Sequence, residues 1–172
     1  MTTPTAICFP QLFGVILSDK KSDRAQGRAK DRKDRAIDSI SDALRILIVD
    51  DHEGARNTIR ALLDGEKGIE VISEAANGRD GVQLADALQP DIVLLDITMP
   101  TLGGIEAAVR IRRLAPHSRI IFLSQHNLRK LAEAALATGA QGYVVKATAG
   151  TDLMPAIRAV ADGDKFVSKL QE

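Results

Sequence analysis

Carboxylates end two of the most apolar runs in the sequence. Asp50 and Asp51 follow residues 46–49, and Asp96 follows residues 92–95. If the two runs are strands of one sheet, these three carboxylates meet at the same edge and repel one another unless a cation joins them. A hard divalent ion with oxygen ligands fits such a site, and Mg²⁺ is the ion that we expect. Taken alone, Asp96 could equally cap a helix.

A hydroxyl and an amine follow two further apolar runs. Ser124 comes after residues 119–123, and Lys146 comes after residues 142–145. With the acidic trio they suit a phosphoryl group, because the metal and the ammonium group neutralise its oxygens, the hydroxyl donates a hydrogen bond and one carboxylate acts as nucleophile. Alone, each would be an ordinary turn hydroxyl or surface lysine. The five residues at matching positions indicate phosphoryl chemistry.

Apolar runs alternate with helical patterns through residues 44–165. This alternation predicts βαβ units with right-handed crossovers, and therefore an α/β domain with a doubly wound parallel sheet. For five such units the flavodoxin-like order 2-1-3-4-5 is common, and ligands then bind beside strands one and three. The predicted strands are residues 46–49, 70–75, 92–96, 119–124 and 142–146; the predicted five helices are residues 53–64, 81–88, 105–114, 128–138 and 152–161, with Pro155 in the first turn of the last.

The composition is that of a globular chain. Lysine plus arginine and aspartate plus glutamate number 23 each, so the chain as a whole has no basic surface for nucleic acid. Cys8 is the only cysteine, which excludes an internal disulfide and fits a reducing, cytoplasmic compartment. The histidines and the cysteine lack the spacing of zinc ligands, and no apolar run approaches the roughly 20 residues of a membrane span.

Residues 1–43 differ from the rest of the chain. Residues 19–36 carry interspersed charges and almost no apolar side chains. Such a segment cannot bury enough apolar surface to offset the entropy cost of ordering it. We therefore expect a largely disordered N-terminal extension; a regulatory or docking arm is the alternative.

The strand-end residues in combination resemble the receiver (REC) domain of bacterial two-component response regulators. Within that family the chain is most similar to the NarL/FixJ (LuxR-type) class, because Ala147 follows Lys146 and because of residues 156–163. Members usually continue into a helix-turn-helix domain that binds DNA, so residues 166–172 look like the start of a linker. A stand-alone receiver is the alternative. The resemblance covers residues 44–165 and rests on Asp50-Asp51, Asp96-Ile97-Thr98-Met99-Pro100, Gly103-Gly104, Ser124 and Gly142-Tyr143-Val144-Val145-Lys146.

The resemblance implies a CheY-like fold with a magnesium-dependent phosphoacceptor site. Asp96 would take the phosphoryl group from a sensor histidine kinase or a phosphotransfer protein. Asp51 and Asp96 would hold Mg²⁺ directly, Asp50 would assist through water, and the Thr98 carbonyl would be a further ligand. The protein would be a signalling switch and not an enzyme with a separate substrate; its only reactions would be self-phosphorylation from a phosphodonor and autodephosphorylation.

The resemblance also implies how the switch works. Lys146 would pair with the phosphoryl oxygens, Ser124 would move to bond one of them, and Tyr143 would swing inward behind it. The surface of helix four, strand five and helix five would then change shape and control a transcriptional output domain or another partner. Thr98 and His126 lie where the family tunes the phosphoryl lifetime. A homodimer through the same surface is a further implication.

Two other functions remain open from the sequence. An aspartyl-phosphate phosphohydrolase usually needs an Asp-x-Asp motif, but Asp50 and Asp51 are adjacent and Thr98 stands two residues beyond Asp96. A degenerate receiver that only docks partners would not need an intact nucleophile and lysine. Substrate turnover separates the first alternative from a receiver, and phosphorylation competence separates the second.

Overall fold

The computed structural model describes residues 43–171, so the predicted N-terminal extension lies outside the described part except for its last residue. No helix within residues 43–171 has the length and apolar character to cross a membrane. The elements of this part are, in order, β1 (Leu44–Val49), α1 (Glu53–Leu63), β2 (Ile69–Ala75), α2 (Gly78–Leu88), β3 (Ile92–Asp96), α3 (Gly104–Leu114), β4 (Arg119–Ser124), α4 (Arg129–Ala137), β5 (Gly142–Val145), a 3₁₀ turn (Lys146–Thr148), α5 (Ala149–Asp162) and β6 (Phe166–Val167).

The strands form one parallel sheet in the order β2-β1-β3-β4-β5-β6. The order predicted for the first five strands is confirmed, and the two strands that precede the acidic residues, β1 and β3, are neighbours. β6 is an addition that the sequence did not predict. It pairs with β5 through Gly142↔Phe166 and Tyr143↔Val167. Two apolar residues are too few to show a strand periodicity, so a segment expected to begin a linker instead forms the edge of the sheet.

Helices cover both faces of the sheet, which explains why its inner strands are continuously apolar. Successive residues of β1 point to opposite sides, so Leu47 and Val49 belong to one core and Ile46 and Ile48 to the other. All five residues of β3 are buried. Burial on both faces fixes β3 within the sheet and places Asp96 at its carboxyl end.

Helix α2 begins earlier than predicted. It starts at Gly78 and not at residue 81, because the Asn77 side chain accepts a hydrogen bond of 2.9 Å from the backbone N–H of Asp80. This is an N-terminal cap, and it satisfies a donor that the first turn of a helix would otherwise leave without a partner. The Asn-Gly pair that looks like a plain turn in the sequence is therefore the start of the helix.

Helix α5 also begins earlier, at Ala149 and not at residue 152. The prediction that Pro155 lies in its first turn is therefore wrong, because Pro155 lies inside the helix. Proline there removes one backbone hydrogen bond, which weakens a helix interior. The helix continues because its apolar face, which includes Leu153 and Ile157, is fully buried in the core beneath it.

The turn after β3 brings α3 very close to the end of that strand. Gly104, the first residue of α3, donates its N–H to the Ile97 carbonyl at 2.9 Å. A Cβ at Gly104 would lie 1.9 Å from the carbonyl oxygen of Asp96 and 2.9 Å from the Cα of Ile97. Only glycine fits this approach without a displacement of the backbone that carries Asp96.

Replacing Gly104 with alanine is therefore expected to lower the free energy of unfolding by about 1–3 kcal/mol, the usual cost of overpacking a filled site. Gly150→Ala is the matched control, because a Cβ there meets nothing within 4 Å. In a helix, alanine should stabilise that position by about 0.5–1 kcal/mol. Urea unfolding followed by circular dichroism measures both changes. A Gly104→Ala variant as stable as the wild type would contradict the close approach.

Candidate functional site

Lys146 connects the ends of β1 and β3. It lies one residue beyond β5, and its Nζ is 2.6 Å from Asp50 Oδ2 and 2.9 Å from Asp96 Oδ1. Asp50 is fully buried and Asp96 is 3% exposed. Burial opposes the charge on Lys146, but the hydrogen bonds to the two carboxylates outweigh it and raise the pKa of the amine. The amine therefore stays charged at neutral pH, between two buried acids.

Asp96 is held in an environment that disfavours its charge. Burial raises the pKa of the carboxyl, the hydrogen bond and the charge of Lys146 lower it, and the charges of Asp50 and Asp51 raise it again. The net result is a pKa above the ordinary value of 3.8. Asp50 and Asp96 thus share one lysine, the charge of Asp51 adds to theirs, and a further cation would relieve the repulsion among the three acids.

A cavity opens beside Asp96. It measures about 130 Å³ and is lined by His52, Asp96, Thr98, Gln125 and His126. The nucleophile predicted from the sequence therefore lies at a concave site that a small group can enter. Thr98 and His126, the two residues expected to tune the phosphoryl lifetime, both line it.

The acidic residues fit a magnesium ion in their chemistry. Donor atoms of Asp50, Asp51 and His52 lie within 4.8 Å of one another, and Asp50 reaches Asp96 through the shared Lys146 amine. Carboxylate oxygens are the ligands that Mg²⁺ prefers. His52 adds a nitrogen, its Nδ1 lying 2.9 Å from Asp51 Oδ1. The donors fit the predicted magnesium site, with Asp96 bonded to the lysine in this structure.

Ser124 and Tyr143 meet at the backbone of His126. The buried hydroxyl of Ser124 accepts a hydrogen bond of 3.0 Å from the His126 N–H. The hydroxyl of Tyr143 donates to the His126 carbonyl at 2.7 Å. Tyr143 is completely buried, and burial raises the pKa of its phenol. The tyrosine thus has the inward orientation, and one loop residue joins it to the serine at the end of β4.

The sequence did not predict that His52 and Arg56 contact the acidic pair. His52 donates its backbone N–H to Asp50 Oδ1 at 2.9 Å, and Arg56 Nη1 donates to the Asp50 carbonyl at 2.8 Å. Neither contact can be recognised from the sequence. The His52 contact is made by a backbone N–H, which every residue except proline has, and an arginine on an amphipathic helix is usually solvated. The one available signal was Arg56 and Arg60, which stand four residues apart and form one basic edge of α1.

Comparison with known proteins gives a consistent result. Residues 46–158 match the family described as the response regulator receiver domain. The response regulator UvrY of Escherichia coli (strain K12) is 38% identical over 125 residues, which is 73% of this chain and 57% of that protein. The nitrate/nitrite response regulator protein NarL of the same strain is 36% identical over 124 residues, 72% of this chain and 57% of that protein. The chain thus spans little more than half the length of these relatives.

Comparison with solved structures leads to the same family. A two-component response regulator of the LuxR family from Aurantimonas sp. SI85-9A1 superposes with a TM-score of 0.69 at 37% identity, over 73% of this chain and 89% of that chain. The response regulator domain of Thermotoga maritima CheB gives a TM-score of 0.66 at 27% identity, over 70% and 97% of the two chains. The parallel α/β fold with five helices is therefore shared with these proteins.

Because the pKa of Asp96 is raised, its charge opposes folding at neutral pH. Asp96→Asn, which keeps an acceptor for Lys146, should raise the urea midpoint at pH 7 in EDTA. A raised pKa means that this carboxyl favours the folded state fully below 3.8 and loses that contribution as pH rises through its folded value. The gain should therefore shrink on acidification. Asp86→Asn, an exposed control, should change stability by less than about 0.5 kcal/mol. A lower midpoint for Asp96→Asn at pH 7 would refute this account.

Proposed function

The chain belongs to the response regulator receiver family, in its NarL/FixJ class, and on that basis we propose that Asp96 is the phosphoacceptor of a magnesium-dependent phosphorelay. The observation that carries the proposal is the Lys146 amine, held between buried Asp50 and Asp96 beside a small open cavity. The donor is a phosphohistidine on a sensor histidine kinase or a phosphotransfer protein. As a receiver domain, the protein is a signalling switch.

The reaction uses the charges already present at the site. A carboxylate oxygen of Asp96 forms a bond to phosphorus while the bond from phosphorus to the donor's imidazole nitrogen breaks, and the nitrogen leaves with the electron pair. Lys146 pairs with a phosphoryl oxygen, and the Ser124 hydroxyl donates a hydrogen bond to another. Asp51, Asp96 and the Thr98 carbonyl would hold Mg²⁺ directly and Asp50 would assist through water; the ion would supply positive charge to the phosphoryl oxygens.

Hydrolysis ends the signal. Water must approach the phosphorus through the cavity lined by Thr98, Gln125 and His126. The size and polarity of the residues two positions beyond Asp96 and Ser124 therefore set how easily water reaches in-line geometry. On this basis Thr98 and His126 tune the lifetime of the aspartyl phosphate.

The shape change leaves the site through the loop between β4 and α4. When Ser124 turns toward the phosphoryl group, it gives up its bond to the His126 N–H, and His126 also holds the Tyr143 hydroxyl. The next residue, Asn127, accepts a hydrogen bond of 2.8 Å from the Gln171 N–H. The loop therefore contacts Gln171, the last described residue, directly.

The segment after α5 runs alongside β5 at the edge of the sheet. Ser168 donates its N–H to the Tyr143 carbonyl at 2.9 Å, and its buried hydroxyl accepts from the Val145 N–H at 3.2 Å. The same hydroxyl donates to Asp152 on α5. This bond and one from Thr148 lower the pKa of Asp152, so the acceptor stays ionised at neutral pH. Ser168 thus links the segment after α5 to both β5 and α5. A shape change in the surface of α4, β5 and α5 would reach an output domain or partner through this segment.

The role of a phosphoacceptor receiver also suggests a partner and a cellular location for the protein. The matched region covers 57% of UvrY and of NarL, and we propose a transcriptional output domain that binds DNA as the target of this receiver. A homodimer through α4, β5 and α5 is a further proposal. Because it would receive a phosphoryl group from the cytoplasmic domain of a kinase, we expect the protein in the cytoplasm.

Phosphorylation is tested by intact-mass spectrometry after incubation with acetyl phosphate and Mg²⁺. The wild type should gain one labile phosphoryl group, whereas Asp96→Asn should gain none. Lys146→Met, similar in length but uncharged, should react more slowly by a factor on the order of 100, the effect of losing one oxyanion-hole donor. A folded wild type without adduct would favour the docking module. Turnover of a phosphate ester at a rate well above adduct hydrolysis would favour the phosphohydrolase.

Transmission to the C-terminal segment is tested by amide hydrogen exchange, read by NMR in excess acetyl phosphate and Mg²⁺. The amides of Ser168 and Gln171 should exchange severalfold faster than in the unphosphorylated protein, because their partners lie on or beside the moving loop. The Phe166 amide is the internal control, since its partner is the Gln141 carbonyl, before the start of β5. Unchanged exchange at Ser168 and Gln171 in fully phosphorylated protein would refute this route.

A further inference from the structure

Arg56 reaches from α1 to the backbone of the acidic pair. Its Nη1 donates to the Asp50 carbonyl at 2.8 Å, and its Nε lies 3.3 Å from Glu74 Oε2 near the end of β2. The Arg56 side chain is only 16% exposed, so most of its length is packed against the protein. Arg60, one turn further along α1, pairs with the other oxygen of Glu74. Glu74 therefore orients the guanidinium that holds the Asp50 carbonyl.

The Asp50 carbonyl belongs to the peptide group that joins Asp50 to Asp51. Because a peptide group is planar, a bond that fixes its oxygen also fixes the direction in which the Asp51 backbone departs. The N–H of Asp50 is fixed as well, by a bond of 3.1 Å to the Ala75 carbonyl. Arg56 therefore supplies the second backbone attachment of Asp50, whose neighbour Asp51 is partly exposed and has one described partner, His52.

We propose that Arg56, oriented by Glu74, is a positioning residue for magnesium binding: it holds the peptide between Asp50 and Asp51 so that both carboxylates face the same point. The inference rests on the proposed function, since it concerns the metal of that site. It names no new ligand, because Arg56 touches a backbone oxygen of the acidic pair and acts on the ion through it.

The sign of the effect separates positioning from plain electrostatics. A guanidinium so close to a cation site repels the cation, so its charge alone predicts that Arg56→Ala binds Mg²⁺ more tightly. Positioning predicts weaker binding, because the two carboxylates lose their common orientation. A purely structural tie between α1 and β2 predicts lower stability with no change in affinity for Mg²⁺ once the protein is folded.

The experiment measures the affinity of the full chain for MgCl₂ by isothermal titration calorimetry, with the rise of Tm on adding Mg²⁺ as a second readout. Arg56→Ala should bind at least about tenfold more weakly, as when an outer partner of a metal ligand is lost. Arg56→Lys keeps the charge but lacks the separate Nε and Nη1 donors that reach Glu74 and the Asp50 carbonyl, so its affinity should lie between those of the wild type and Arg56→Ala. Arg60→Ala is the matched control, because it also removes one positive charge and one contact to Glu74 but touches no backbone atom of Asp50, and it should bind as the wild type does.

The outcomes are distinct. Wild-type affinity or tighter binding in Arg56→Ala overturns the inference and leaves the phosphoacceptor function intact. Equal weakening in Arg60→Ala also overturns it, because the effect then comes from the tie between α1 and β2. If Arg56→Ala does not fold, Arg56→Lys and Glu74→Gln decide in its place, and both must weaken binding. A folded wild type that binds no Mg²⁺ refutes the proposed function and this inference together.

Discussion

The architecture of the site depends on one amine placed between two buried carboxylates. Lys146 can reach both Asp50 and Asp96 only because β1 and β3 are adjacent and because β5 ends one residue before it. Without it, two acids would be desolvated beside a third with no compensating charge, which costs several kcal/mol. The lysine neutralises only part of that charge. The negative charge that remains favours the binding of a cation, and in this way the fold determines the chemistry of the site.

Much of the fold could be predicted because buried parallel strands have an unmistakable sequence pattern. Four of the five longer strands, β1, β3, β4 and β5, are apolar runs with a polar residue of the site at or directly after their end, whereas β2 alternates apolar and polar residues. The errors arose where local patterns are weak. Phe166 and Val167 are too short a run to mark a strand, and Asn77 looks the same whether it caps a helix or forms a turn. The start of α5 was predicted too late because Pro155 was expected in the first turn. The buried apolar face of the helix outweighs the hydrogen bond that the proline removes.

The site divides in the same way. The meeting of Asp96 and Lys146 at one edge of the sheet could be predicted, because a charged residue is unusual at the end of an apolar run. Residues that act through backbone atoms could not. Arg56 contacts a carbonyl, and His126 offers its own N–H and C=O to Ser124 and Tyr143; neither contact depends on a pattern visible in the sequence. Such contacts depend on how distant parts of the chain pack together, and only the three-dimensional structure shows this.

The two residues of β6 have a consequence for how this protein behaves at high concentration. With β6 in place, every residue of Gly142–Val145 is buried. A fragment that stopped before Phe166 would turn this apolar stretch into the outermost strand, with a row of unpaired N–H and C=O groups open to another chain. A short final strand, by contrast, offers little for such pairing. The segment thus covers part of the β5 edge, and a recombinant fragment that lacks it is expected to self-associate more readily.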